Sequence, residues 1–480
     1  MMSVQRGSLT EVSPRARLSQ ADPAGLMHPC KSAEKEGQQP EMSVLNHATV
    51  TTTSYQVAPS ASRLTGSLRD IGYDVPTAIA DLVDNSITAD ATEIEIAFSY
   101  DGPNSSITIL DDGNGMTANG VLEALRFGTR KEYEPADLGR FGLGLKTASL
   151  SLCRSVTIVS KWSHAKSPQI NHRTLDLDII DEFDDWLVVE NPPTPAVHDA
   201  ITKLESRHGG TAIVLEKLDR VLDPSKPMSG WARRKLLSAA AKTTEHLAIV
   251  FHRFLSGDAA RGPVTMTVHA EGSSQVEAWD PFACDEASTL ALEPQVLEIE
   301  HNGKAREVGL RRYILPARSQ FSSVEKFESL AGPLKWNRQQ GLYIYRANRL
   351  VQHGGWNGIR AIDEHTKLAR AALDFDTQLD TAFQVNVSKM RVNLPTDIRT
   401  MLEQPVHDLC VRASDRYRLA GESGRTETNR RTIGRSSAEI QDVAVALRAA
   451  ALEAGELPAF ERALRVVAER APEIYRYFDC

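Results

Sequence analysis

The sequence predicts an α/β protein: an α/β sandwich over 56–222, a second α/β unit over 223–420, and a helical C-terminus. Three observations carry that expectation. A chain of 480 residues exceeds what one hydrophobic core fills, so more than one folded unit is expected. Short β-branched runs alternate with stretches whose apolar residues recur at helical spacing, the pattern of α/β folds. Hydrophobic content of 41%, charged content of 25% and a mean hydropathy of -0.31 describe a globular chain with a sizeable core.

The elements follow in order. Residues before Tyr55 contain no aromatic and are rich in Ser, Pro, Gln and mixed charge, so 1–55 reads as a disordered tail, within which Met42 offers a second start. Asp74 and Pro76 signal a helix start, and Ala78, Ile79, Leu82, Val83 and Ile87 then fall on one face. Glu93 to Ala97 and Ser106 to Leu110 read as strands joined by the turn at Asp101-Gly102-Pro103-Asn104. A glycine-dense turn, a helix at Val121 to Phe127, a polar loop from Phe127 to Gly139 and a small-residue helix from Lys146 to Leu152 come next. Val156 to Ser160, Thr174 to Ile179, Trp186 to Glu190 and Thr211 to Glu216 supply further strands.

Trp231 to Leu255 is long, helical and nearly unbroken, suited to a connector into the second unit. That unit has strand candidates at Val264 to Ala270, Val296 to Glu300, Glu307 to Leu315, Leu342 to Arg346 and Phe383 to Val387, with helices at Ile362 to Leu373 and Thr396 to Arg418. A linker over 421–437 leads to helices within 438–480.

Composition excludes several classes. No window approaches the ~18 consecutive apolar residues that a membrane span needs, and no secretory h-region opens the chain, so no membrane partner and a cytoplasmic location are expected. The five cysteines are scattered without a CxxC or a zinc-ligand spacing, and reduced thiols are the simpler reading. A net charge of -8 argues against a surface that grips nucleic acid throughout. A local arginine excess between Val411 and Arg435 reads as a solvated linker or a phosphate-contacting arm.

Three segments carry chemistry. Asp81-Leu82-Val83-Asp84-Asn85 lies on the amphipathic helix, where Asp81 and Asn85 project together; a carboxylate beside an amide suits orienting a water and completing a Mg²⁺ shell, although such a face is commonly just solvated. Asp111-Asp112-Gly113-Asn114-Gly115-Met116 follows a strand. Its glycines let backbone approach a flat ligand and its aspartate can accept from an exocyclic amine, while a tight turn or a calcium-loop fragment reads equally well in isolation. Gly139-Arg140-Phe141-Gly142-Leu143-Gly144-Leu145-Lys146 opens onto a helix, where exposed N–H groups and a lysine would cradle phosphates. It is neither a Walker A loop nor a dinucleotide fingerprint.

In combination, and followed by Gly210-Thr211 at the head of a strand, these segments resemble the four ATP-binding motifs of the GHKL superfamily of gyrase-type, Hsp90, histidine kinase, MutL and MORC ATPases, which share the Bergerat fold. The resemblance covers about 62–220. It implies Asn85 as the Mg²⁺-coordinating asparagine, Asp111 as the reader of the adenine amino group, and Gly113, Gly115 and Met116 as the segment flanking the base. It places the ATP lid at Phe127 to Leu138, the phosphate-facing backbone at Gly139, Gly142, Leu143 and Gly144 with Lys146 beside it, and the hydroxyl supporting the adenine-binding aspartate at Thr211. Asp81 stands where the ATPase branches carry a general-base glutamate, a departure of one methylene, so that either the water sits closer or hydrolysis is slow while nucleotide binding is kept.

Among the branches, a histidine kinase is disfavoured because only His28 and His47 precede the motifs. The segment from Gly341 to Val351 looks most like MORC-type and related prokaryotic ATPases, in which a ribosomal S5-type domain acts as a transducer. The resemblance then implies a γ-phosphate-sensing lysine, for which Lys389 is the candidate, and marks Arg346, Asn348 and Arg349 as hinge or interface candidates. It implies ATP and Mg²⁺ as ligands, ATP-dependent homodimer closure, and DNA as the first partner. A nucleotide-gated scaffold and an Hsp90-like chaperone are the rival readings.

Overall fold

In the computed structural model, which describes residues 42–47, 50–55, 57, 59–70, 72–128, 144–385, 392–433 and 446–470, the strands beyond Ser60 gather into two sheets. The described residues before Ser60 belong to a separate unit, in which β1 (Met42–His47) and β2 (Val50–Tyr55) pair antiparallel. A disordered tail was expected there. Val44, the run Val50 to Thr53 and Tyr55 supply β propensity that composition averaged over the whole tail conceals.

The elements of the first sheet begin with α1 (Ala61–Arg69), α2 (Val75–Thr88), β3 (Glu93–Ser99) and β4 (Ser106–Asp111). They continue through α3 (Ala118–Leu125), α4 (Gly144–Leu150), β5 (Ser155–Lys161), β6 (Ile170–Asp176), α5 (Leu177–Phe183), α6 (Pro195–Glu205) and β7 (Gly210–Glu216). Then come α7 (Gly230–Val250), α8 (His252–Leu255), β8 (Thr265–His269) and β9 (Ser273–Gln275). The strand order is β6-β5-β7-β4-β3-β8-β9, antiparallel except where β8 runs parallel to β3. Period-2 alternation sends Ile107, Ile109, Val156, Ile158, Ile213 and Leu215 into the main core under α2, α3, α4 and α7. The alternate residues Leu110, Val159, Ala212 and Val214 meet α6 on the opposite face.

β8 corrects the expected division of the chain near Leu222. The strand assigned from sequence to the second unit pairs with Glu93 to Ala97 of β3, and α7 packs along α2, so the first sheet is completed by residues beyond the connector helix.

The second sheet comprises β10 (Leu290–Ala291), β11 (Gln295–His301) and β12 (Lys304–Ile314), then, after α9 (Val324–Ser329) and α10 (Lys335–Gln339), β13 (Gly341–Arg346), β14 (Arg349–His353) and β15 (Ala369–Phe375). Its order is β10-β12-β15-β13-β14, with β11 also on β12. β15 was expected to be part of a helix, because its Ala- and Leu-rich run favours one. Lying between β12 and β13, its residues are almost all buried, and the two ladders override that propensity. Trp186 to Glu190 makes only a single bridge, Thr174 to Val189, and residues 383–385 are not a strand.

α11 (Thr396–Ile433) packs on this sheet through Ile398, Leu402, Val406, Leu409 and Ala413, and continues through most of the expected linker. Helices follow at 446–453 and Leu457–Arg470. No helix among the described residues is long and apolar enough to cross a membrane.

Candidate functional site

The site is built around α2 and the end of β4. α2 starts where Asp74 caps it, Oδ1 accepting from the Thr77 N–H at 3.0 Å, with Pro76 in the first turn. Its apolar residues pack under the sheet, and the polar face expected from the sequence proves to be interior as well. Asp81 is 3% exposed and Asp84 0%. The solvated-face reading of this segment is thereby set aside.

Asp111 closes β4 with a carboxylate 4% exposed. Its Oδ2 accepts from the Ser86 hydroxyl at 2.8 Å; its Oδ1 accepts from the N–H groups of Gly113 at 3.0 Å and Thr211 at 3.1 Å. Burial pushes the carboxyl above its ordinary range, while those three donors pull it back. The Thr211 contribution differs from the expected one: its backbone supports Asp111, and its hydroxyl lies 2.9 Å from that of Ser160. Ser160 in turn accepts from the Met116 N–H at 2.8 Å, so the loop after β4 is fastened to β5 and β7.

The glycines have a more local cause than approach to a ligand. A Cβ on Gly113 would lie 2.6 Å from the Ala89 carbonyl oxygen. Gly115 adopts φ +66°, and its Cβ would lie 1.9 Å from the carbonyl oxygen of Lys161. Neighbouring backbone therefore demands both glycines, with or without a ligand beside them.

Asn85 sits one turn beyond Asp81 and is partly buried, with Nδ2 lacking a hydrogen-bond partner among the described residues. A buried amide atom without a partner is uncommon, and it lies one turn from Asp81 on the same helix. No group of three or more His, Cys, Asp or Glu residues suited to a metal exists among the described residues.

Lys146 lies on α4, 3% exposed, its Nζ donating to the Ala124 carbonyl at the end of α3 at 3.1 Å. Burial lowers its pKa to about 8, opposed by nearby Glu123. Gly144 begins α4 in open space. Gly139, Gly142 and Leu143, the expected lid beyond Gly128, and Lys389 lie outside the described residues.

Asp81 is held by residues that the motifs did not include. Its Oδ2 accepts from the Tyr73 hydroxyl at 2.8 Å and its Oδ1 from Arg349 Nη2 at 3.2 Å. The same guanidinium donates through Nε to Asp84 at 2.8 Å, and is itself 2% exposed. Burial and the Asp81 carboxylate raise the Tyr73 pKa well above that of a free phenol, so the phenol stays a donor. Of the interface candidates marked from sequence, Arg349 thus reaches the expected base position. Ser86, one residue past Asn85, and Tyr73, eight before Asp81, lie within the motif helix or at its entrance; nothing in their spacing signals these roles.

Comparison with known proteins agrees with this geometry. Residues 73–211 match the family model described as "Histidine kinase-, DNA gyrase B-, and HSP90-like ATPase". Among curated relatives, "ATPase morc-1" of Caenorhabditis elegans is 37% identical over 87 residues, which is 18% of this chain and 10% of that protein. "ATPase MORC2B" of Mus musculus is 32% identical over 102 residues, 20% of this chain and 10% of that protein. The similarity thus spans about a tenth of each relative. Residues 73–211 are thus similar to ATPase domains of the GHKL kind, and MORC ATPases are among the proteins this chain resembles.

Proposed function

We propose that this chain, whose residues 73–211 are similar to GHKL-type ATPase domains, binds ATP with Mg²⁺ and hydrolyses it slowly through a water positioned by Asp81. The observation that carries the reading is Asp111: a buried carboxylate at a strand end, held by Ser86, Gly113 and Thr211 and adjoining the helix that bears Asp81 and Asn85. A fixed acceptor in a dry wall suits the exocyclic amine of adenine. Asn85 would hold the Mg²⁺. One amide without an acidic cage suits an ion that keeps waters and leans on substrate phosphates. Gly139, Gly142, Leu143 and Gly144 would supply backbone donors to the phosphates, with Lys146 and Lys389 adding charge.

By family analogy the second sheet serves as an S5-type transducer, ATP closes a homodimer, and closure clamps or remodels DNA in the cytoplasm. The alternative, a nucleotide-gated scaffold with little turnover, is favoured by one observation: Asp81 is buried and engaged by Tyr73 and Arg349. Steady-state phosphate release by the purified chain separates the two. Hydrolysis lost in Asp81→Ala with ATP binding retained supports the enzyme; equally slow release by both proteins supports the scaffold. Stimulation of turnover by DNA, and not by unfolded protein, would favour the clamp over a chaperone.

A further inference from the structure

Arg349 enters the site from 268 residues away in sequence, across the junction between the two sheets. We propose that it is the positioning residue for Asp81, so that the second sheet governs hydrolysis without governing nucleotide recognition; this rests on the hydrolase reading above.

The hairpin that carries Arg349 is built for placement. β13 and β14 are joined through Ala347 at φ +47° and Asn348 at φ +68°, left-handed conformations that side chains beyond glycine resist and that a tight two-residue turn requires. The turn is pinned on both sides. Arg346 makes a two-point pair with Asp380, Nε to Oδ1 at 2.6 Å and Nη2 to Oδ2 at 2.7 Å, with both side chains nearly inaccessible. Asn348 accepts from Arg253 of α8 at 3.4 Å, and Arg253 is itself paired with Asp374 and stacked 3.3 Å from the centre of the Tyr345 ring. The Arg349 backbone thus has little freedom to drift, and its guanidinium arrives at α2 as a fixed fork.

At α2 that fork spans two carboxylates three residues apart, Nε to Asp84 and Nη2 to Asp81. An aspartate carboxylate can turn about its Cβ–Cγ bond. Two directed donors, Tyr73 Oη on one oxygen and Arg349 Nη2 on the other, remove that freedom. Orientation is what a water-directing carboxylate one methylene short most needs, because misplacement by about 1 Å costs on the order of 10²-fold in rate. Asp111 is held by Ser86, Gly113 and Thr211, a different set from the Tyr73 and Arg349 donors on Asp81, so the carboxylate proposed to read adenine is served by separate contacts.

The test measures phosphate release and, by calorimetry, the affinity for a non-hydrolysable ATP analogue with Mg²⁺, on full-length wild type, Arg349→Met and Arg349→Lys. The expected result is a kcat reduced about tenfold to a hundredfold in Arg349→Met with analogue affinity within about threefold of wild type, and partial recovery in Arg349→Lys, which keeps the charge but loses the fork. If Arg349→Met does not fold, Arg349→Lys decides, by a lowered kcat at unchanged affinity. An unchanged kcat overturns the proposal. So does a parallel fall of kcat and affinity with Lys no better than Met, which marks a merely structural pair. Wild type that binds the analogue yet releases no phosphate refutes the hydrolase reading instead.

Discussion

Replacing Asp111 by asparagine tests the proposed nucleotide site, because the structure dictates which way the amide must turn. Oδ1 accepts from two backbone N–H groups, Gly113 at 3.0 Å and Thr211 at 3.1 Å, and neither can serve as an acceptor. The amide oxygen therefore takes that position and the NH₂ takes the place of Oδ2, facing a Ser86 hydroxyl that can rotate to accept. Every protein contact survives. Burial raises the Asp111 pKa, so the charged form costs the native state stability above the ordinary carboxylate range, and the neutral amide removes that cost. The melting temperature of Asp111→Asn at pH 7 should then equal or exceed that of wild type. Binding should suffer, since an acceptor facing the adenine amine becomes a donor: a charge-assisted hydrogen bond is lost and two donors confront one another, about 3–4 kcal/mol together, or a 10²- to 10³-fold weaker ATP affinity. Calorimetry with Mg²⁺ and ATP, paired with thermal unfolding, reads both. Wild-type affinity in a folded Asp111→Asn protein would refute the pocket.

Gly115→Ala should destabilise by about 3 kcal/mol in denaturant unfolding, because φ +66° and a Cβ 1.9 Å from the Lys161 carbonyl oxygen force the loop off β5. Acid should weaken the fold through His252, whose Nε2 lies 2.8 Å from the Tyr345 hydroxyl and whose pKa burial holds at about 3. The unfolded chain protonates this group below about 6.5 while the folded one does not, so stability falls as pH drops, by about 2 kcal/mol at pH 5. His252→Gln should flatten that limb of the stability profile. In a double-mutant cycle, Arg349→Met alone should cost about 3–5 kcal/mol by leaving two buried carboxylates without their cation, and addition of Asp84→Asn should recover part of it. Strict additivity would disprove the pairing.

What was legible in the sequence was what local chemistry writes. The Asp74 cap, the apolar spacing of α2, the strands on either side of the Asp101 turn and the glycines after β4 each follow from a few adjacent residues. Partnership between distant segments was not legible. Nothing near Thr265 states that β8 returns to β3, since a short alternating strand is compatible with either sheet. Propensity favoured a helix for residues 369–373, and burial between two ladders decided for a strand. Within the site, the motifs single out Asp111 and, through the resemblance, Thr211, yet the contacts that hold the carboxylate are two backbone N–H groups and the Ser86 hydroxyl, which residue identity does not encode.

The aspartate at 81 and the arginine at 349 account for one another. Read alone, Asp81 is a glutamate shortened by one methylene and so a weakened base. In the fold it is one of two short carboxylates, at positions three apart on a helix and therefore neighbours on its surface, that flank a single guanidinium. A glutamate at 81 would carry its carboxylate about 1.5 Å further, into the space that the Arg349 fork occupies. The arginine cannot retreat easily, since the hairpin behind it is pinned through Arg346 to Asp380 and through Asn348 to α8. The shorter side chain is then the one that fits beside an arginine held in place by the second sheet. Lengthening it should disturb the junction between the sheets before it could speed any chemistry.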